Sequence, residues 1–192
     1  MKKARFVSKR QTLLGGAAAG VLAVGLAGGP AVFAQDPGTT PEPATITMTK
    51  NGKTLLFEAP DTVQTGQPLK IVNATSPRRV GPHTFSLVQK SLLPGTVKQF
   101  KNCFTPGKIC MRIANAHKLN PKTEKIGQPL VDPGAKGWNR QFTKKRKGDS
   151  WFTEKKGETF TANVSASAGK TLSFLCAVHP DMQGEIEVVA AP

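Results

Sequence analysis

The feature that most restricts how this chain can fold is a series of short segments in which apolar and polar residues alternate with period two. Residues 44–49 (ATITMT) alternate in this way, Asn51-Gly52 is a strong hairpin-turn pair, and residues 53–57 (KTLLF) read as the return strand. Residues 68–74 follow, then 83–89 with Phe85 and Leu87 on one face, and the same pattern resumes at 158–164, 171–178 and 185–189. Alternation places successive side chains on opposite faces of a sheet, so each segment can bury one face. Several such strands separated by turn signals predict an all-β fold, an antiparallel Greek-key β-sandwich.

The pattern lapses over residues 91–150, a stretch rich in Lys, Pro and Gly. One short helix is expected there, about 108–118, where Ile109, Arg112, Ile113 and Ala116 follow helical spacing. So long a strand-free region inside a domain reads as a functional or ordered insertion. Much of the chain's positive charge gathers in and just after its second half, between Lys118 and Lys156, with Lys144-Lys145-Arg146-Lys147 as its densest run. Two readings of this block stay open: a solvated, solubilising loop, or a surface that attracts an anionic partner.

The first 34 residues do not read as part of the fold. Lys2, Lys3, Arg5, Lys9 and Arg10 precede an apolar run from Leu13 to Gly29, Pro30 breaks it, and Val32-Phe33-Ala34 forms a small-x-small cleavage site. This is the layout of a secretory signal peptide, with a retained membrane anchor as the alternative. Residues 35–43 read as a disordered Pro/Thr/Gly linker, and residues 44–192 as one domain carrying the 91–150 insertion. The leader holds five positive charges and no acidic residue, which leaves +10 of the chain's +15 on the remainder. Export to the periplasm, the cell envelope or the exterior removes nucleic acid as an expected partner. It leaves anionic envelope polymers, acidic lipid head groups or an acidic protein, with membrane contact only transient or through a retained leader.

Three cysteines are an odd number for an oxidising compartment. Cys103 and Cys110 enclose a Pro106-Gly107 turn and are predicted to form a disulfide. A second metal site built with His117 is a less favoured reading, a surface histidine on the helix the more favoured. Cys176 is left without a partner, in the segment Phe174-Leu175-Cys176-Ala177-Val178-His179-Pro180-Asp181-Met182-Gln183-Gly184. That run supplies a thiolate, an imidazole and a thioether within seven residues, and Gly81-Pro82-His83-Thr84-Phe85 puts a second imidazole at the start of an earlier strand. Two imidazoles and a thiolate with a weak axial thioether are the donor set of a type-1 copper site. Zinc accepts the first three donors but gains little from the Met.

The Cys-x2-His-x2-Met-x-Gly loop, with Pro-His opening an earlier strand, resembles the copper sites of the cupredoxins: plastocyanin, pseudoazurin and especially amicyanin. The resemblance covers residues 44–89 and 158–190. It implies one copper ion held by His83, Cys176 and His179, with Met182 axial and His179 as the partly exposed ligand through which electrons leave. It also implies a monomeric one-electron carrier that meets a redox partner protein, an acidic one if the basic block serves it. A copper-binding or delivery protein on the same fold is the alternative.

The chain departs from the family pattern at three points. Thr84 stands where Asn usually ties the two ligand loops together, Asp181 replaces an apolar residue beside the exposed His, and the insertion lengthens the path from His83 to Cys176. No Gly-rich phosphate loop, paired-carboxylate arrangement or Ser/His/Asp set is visible. With three histidines in all, a second catalytic copper centre is not expected, nor is enzyme activity.

Overall fold

The computed structural model describes residues 41–133 and 136–192. The leader and most of the linker predicted at 35–43 lie outside the described residues.

Two sheets face each other. The first has the order β2-β1-β4-β8, from β1 (Ala44–Asn51), β2 (Thr54–Glu58), β4 (Pro68–Asn73) and β8 (Thr159–Asn163). The second has the order β3-β10-β9-β5-β7-β6, from β3 (Thr62–Gln64), β5 (His83–Leu87), β6 (Leu130–Val131), β7 (Ser150–Thr153), β9 (Thr171–Leu175) and β10 (Gln183–Val189). The β-sandwich expected from the alternation is therefore present, but its sheets are mixed rather than wholly antiparallel. β1 runs parallel to β4, Ile46 opposite Ile71, and β3 parallel to β10, Val63 opposite Val188. Parallel neighbours need a crossover, and here the chain leaves the first sheet after β2, adds β3 to the second, and returns as β4.

The inward residues of the alternating strands fill the gap between the sheets. Ile46, Met48, Leu69 and Ile71 from one sheet meet Phe85, Leu87, Leu172, Phe174, Ile186 and Val188 from the other, all buried. Phe85 and Phe174 lie with ring centroids 4.9 Å apart, and Phe57 packs edge-on against both.

The insertion is more structured than its sequence predicts. It contributes α2 (Val97–Lys101), α3 (Ile109–Ala116) and β6, and it leads directly into β7. The helix expected at 108–118 is α3, shorter by a residue or two at each end. Ile109, Cys110, Ile113 and Ala116 pack with Val131, Phe142, Leu175 and Ala177 in a second core, on the outer face of the sheet that holds β5 and β9. Both faces of β5 are thereby covered, and every residue of it is buried. Trp138, also from the insertion, inserts between the sheets against Phe85 and Phe160. One sequence expectation fails here: His117 is fully buried rather than a surface residue of the helix.

Cys103 and Cys110 are disulfide-bonded, with Cα atoms 5.1 Å apart, and they staple the segment before α3 to its first turn. Cys176 is the free, buried thiol. Thiol titration of the metal-free, denatured and unreduced protein is expected to find one reactive group, and a count of three would remove the staple. Opening this short loop by Cys103→Ser with Cys110→Ser is expected to cost about 2–3 kcal/mol of stability in denaturant unfolding.

Candidate metal centre

The site forms because β5 lies between β9 and β7. β5 runs antiparallel to β9, with Ser86 opposite Leu175, so the first residue of β5 and the turn that follows β9 fall at the same end of the sheet. His83 thereby meets the loop that begins at Cys176, across ninety-three residues of sequence.

That loop is held at both ends. The Cys176 N–H donates to the Met182 carbonyl at 2.9 Å, and the Met182 N–H donates to the His179 carbonyl at 2.9 Å. Pro180 fixes one φ angle between them. Gln183 Nε2 donates to the Pro180 carbonyl at 2.6 Å and to the Pro94 carbonyl at 2.8 Å, which anchors the loop to the insertion. Beyond the loop, Gly184 sits under the Phe174 ring, where an added Cβ would stand 2.5 Å from a ring carbon. Gly184→Ala is therefore expected to displace Phe174 and to lower the stability of the metal-free protein by about 1–3 kcal/mol, read by denaturant unfolding. An unchanged midpoint would mean that the ring moves freely.

The donor atoms of His83, Cys176 and His179 lie within 4.8 Å of one another. Cys176 Sγ is 3.7 Å from His83 Nδ1 and 3.5 Å from His179 Nδ1. For metal–sulfur and metal–nitrogen bonds of roughly 2.3 and 2.1 Å at tetrahedral to trigonal angles, donors stand about 3.6–3.8 Å apart. The two sulfur–nitrogen spacings are those of ligands around a shared ion.

The hydrogen bonds fix which ring nitrogens are free. His179 Nε2 lies 2.7 Å from the Val80 carbonyl, which only accepts, so the ring hydrogen sits on Nε2. This carbonyl is the last of α1 (Pro77–Val80), the short helix before Gly81. The Thr75 hydroxyl donates to Asn73 Oδ1 at 2.7 Å, so its oxygen accepts from His83 Nε2 at 2.8 Å. Both neutral imidazoles therefore turn a bare Nδ1 lone pair toward the sulfur. The thiol has one hydrogen to offer two lone pairs, and a cation answers all three donors at once.

Electrostatics agree. Burial lowers the pKa of His83 to about 4, helped by the neighbouring His179, and burial also lowers that of His179. Burial pushes the Cys176 thiol up, against hydrogen bonds led by the Thr84 N–H, which donates to Sγ at 3.3 Å. The imidazoles are thus ready ligands at neutral pH, whereas the thiol needs a cation to displace its proton.

Thr84 performs part of the tying expected of Asn at its position. Its hydroxyl oxygen accepts from the Ala177 N–H at 2.7 Å, joining the His83 strand to the Cys176 loop. Met182 is fully buried in the same core cluster as Cys176 and Phe174. Asp181 is exposed beside the half-buried His179.

His117 does not join a second metal site. Nδ1 is 2.9 Å from the Gln128 carbonyl and Nε2 is 2.8 Å from the Ser150 hydroxyl, so both nitrogens are engaged. Sequence reasoning missed Asn73, Thr75 and Val80, the groups that orient the imidazoles. Two of them act through ordinary hydroxyl and amide side chains and one through its backbone, and none carries a spacing signature.

No protein-family model matches the chain, and no curated protein matches it. Among solved structures it is similar to a purple cupredoxin from Nitrosopumilus maritimus, at 14% identity over 76% of this chain and 98% of that one, with a TM-score of 0.38. It is also similar to auracyanin A, a blue copper protein from the green thermophilic photosynthetic bacterium Chloroflexus aurantiacus, at 21% identity over 77% of this chain and 99% of that one, TM-score 0.38. A third likeness is to an auracyanin from the photosynthetic bacterium Roseiflexus castenholzii, at 17% identity over 80% of this chain and all of that one, TM-score 0.37. These likenesses are distant, and the chemistry of the site rests on its own donor atoms.

Proposed function

We propose that the chain is an exported mononuclear copper protein of the cupredoxin type, a one-electron carrier with His83, Cys176 and His179 as equatorial ligands and Met182 as the axial one. The observation that carries this reading is the convergence of one sulfur and two bare imidazole Nδ1 atoms in a buried pocket, each imidazole oriented by a hydrogen bond from its other nitrogen. Copper bound there supplies a centre that accepts and returns one electron. The residues around it hold the donors nearly still. The loop is closed on itself, anchored through Gln183, and tied to the neighbouring strand through Thr84, so little rearrangement accompanies a change of charge.

Export is supported by the leader sequence and by the Cys103–Cys110 disulfide, which suits an oxidising compartment. Among the described residues no helix is long and apolar enough to cross a membrane. A non-enzymatic role is supported by the engagement of both His117 nitrogens, which leaves no further imidazole for a second copper. A copper-delivery role on the same fold is the second reading, and the rate of copper loss to a chelator separates the two: a carrier of electrons holds its metal.

For the partner we propose an acidic protein surface. The insertion forms a groove of about 620 Å³ beside the ligand loop, with Leu92, Leu93 and Ile109 as apolar lining and Lys98, Lys108 and Lys144 around it. Pro94, in the same groove, is the residue whose carbonyl receives Gln183.

The function is tested by voltammetry of the copper-loaded protein, which is expected to show one reversible one-electron wave. Met182→Leu is expected to keep coloured copper but raise the potential, because a thioether donor that favours Cu(II) is lost. An unchanged potential would show that Met182 is not the axial ligand.

A further inference from the structure

Of the basic run Lys144-Lys145-Arg146-Lys147, only Lys144 lines the groove beside the ligand loop. The run is a pinned turn rather than a free loop. Thr143 Oγ1 accepts from the Lys145 and Arg146 N–H groups at 3.3 and 3.0 Å, and the Thr143 N–H donates to the Arg146 carbonyl at 3.1 Å. Arg112 of α3 donates to the Thr143 carbonyl and, at 3.3 Å, to the Arg146 carbonyl, which clamps the turn to the helix. All four basic residues are exposed on this fixed backbone. A charge run on a loose loop solubilises, whereas one on a fixed ridge presents its charges in a set place.

Arg146 lines a different groove, also of about 620 Å³, together with Gln89, Asn139, Arg140, Ser167 and Lys170. That volume falls in the range of small-molecule sites, roughly 300–1,000 Å³. Its charge is all of one sign, since no carboxylate lines it. Arg140 is paired with Asp132, and Arg146 and Lys170 have no carboxylate partner among the described residues. Gln89, Asn139 and Ser167 are exposed along the groove, and each brings neutral donors and acceptors. Its apolar lining is Ala166 and Leu172, both buried, and it holds no aromatic residue.

That lining selects among anionic partners. A protein interface is anchored by aromatic and other large side chains, and a membrane surface takes exposed apolar residues. The exposed large hydrophobics of the chain, Val97 and Phe104, both lie outside the groove. Cations set among amides and a hydroxyl instead match a chain that carries carboxylates among many hydroxyl groups. We propose that this groove, with the ridge of residues 144–147 beside it, binds an acidic polysaccharide, its carboxylates on Arg146 and Lys170 and its hydroxyls on Gln89, Asn139 and Ser167. The site is remote from the metal centre: Lys170 precedes β9 and Cys176 follows it, roughly 16 Å along the strand. A polymer held there tethers the exported protein to its envelope and leaves the ligand loop and the first groove open. The inference takes its setting from the export reading and is independent of copper.

The test is calorimetric titration of the purified protein with an oligogalacturonate in about 0.15 M salt, where the screening length is about 8 Å. Binding is expected, with amide NMR shifts centred on residues 139–146 and 165–172, and none with a neutral malto-oligosaccharide of the same length. Arg146→Gln with Lys170→Gln is expected to weaken binding about tenfold or more, through the loss of two charge-assisted contacts. Lys98→Gln with Lys108→Gln removes the same charge from the groove beside the ligand loop, and is expected to leave the affinity within about twofold at this screening length. Equal losses from the two pairs overturn the inference, because net charge alone then binds the probe. Equal binding of the neutral sugar overturns it, as does no binding at all. Tighter binding to anionic phospholipid vesicles, lost in the Arg146 and Lys170 variant, assigns the groove to a membrane and overturns the polysaccharide. A protein that binds the oligogalacturonate but gives no charge-transfer band with Cu(II) upholds this inference and loses only the copper reading.

Discussion

One equivalent of Cu(II) added to the purified protein is expected to produce an intense visible charge-transfer band, blue or green, and Cys176→Ser is expected to abolish it. The transition moves electron density from a thiolate to the metal, so its intensity reports a sulfur bound at short range. Two imidazoles alone give weak ligand-field bands. Cys176 is the free thiol of the chain, since Cys103 and Cys110 are bonded to each other. No other sulfur can therefore supply a thiolate. A serine oxygen keeps the shape and a hydrogen-bond acceptor for the Thr84 N–H, which separates loss of the donor from loss of the fold. His83→Ala is expected to weaken copper binding rather than only shift the band, because it also strips the Thr75 hydroxyl of its buried partner. A colourless Cu(II) complex of the unaltered protein would sink the type-1 assignment.

Reversing the charge of the groove beside the ligand loop is expected to slow electron exchange with an anionic partner by about tenfold or more at low salt, the scale of electrostatic steering. The probe is hexacyanoferrate, with hexaammineruthenium as its cationic counterpart. Lys98→Glu with Lys108→Glu is expected to slow the first and speed the second, leaving the copper spectrum unchanged. Both lysines are exposed and sit in the groove lining, away from the donor atoms. Lys136→Glu with Lys170→Glu removes the same net charge elsewhere; Lys170 precedes Thr171, at the end of β9 remote from Cys176. Equal effects of the two pairs would mean that net charge alone acts and that the groove is no docking face. Raising ionic strength from 0.01 M to about 0.1 M shortens the screening length from roughly 30 Å to 10 Å and should compress both differences.

The chain's local chemistry was legible in its residues. The Cys176-x2-His179-x2-Met182 spacing is a loop property, so it can be read in one dimension, as can the Cys103–Cys110 staple around Pro106-Gly107. Alternation marked the strands that are buried on one face, such as β1 with Ile46 and Met48 inward. It marked β5 too, with Phe85 and Leu87 inward, although the insertion buries its second face, but it failed for β7, which is buried throughout, and for β3 and β6, which are too short to alternate.

Only the tertiary structure decided the rest. His83 meets Cys176 through the β5–β9 register, and register is set by side-chain packing across the sheet rather than by either strand alone. The imidazole tautomers follow from Thr75 and Val80, which approach from separate segments. His117 looked like a surface residue because nothing local shows what a helix packs against. Its burial, and its hydrogen bond to Ser150, exist because Ile109, Ile113 and Ala116 find Leu175 and Ala177 on the outside of the sandwich. A residue's own chemistry is written in the sequence, whereas which residue it faces depends on the free energy of packing the whole chain.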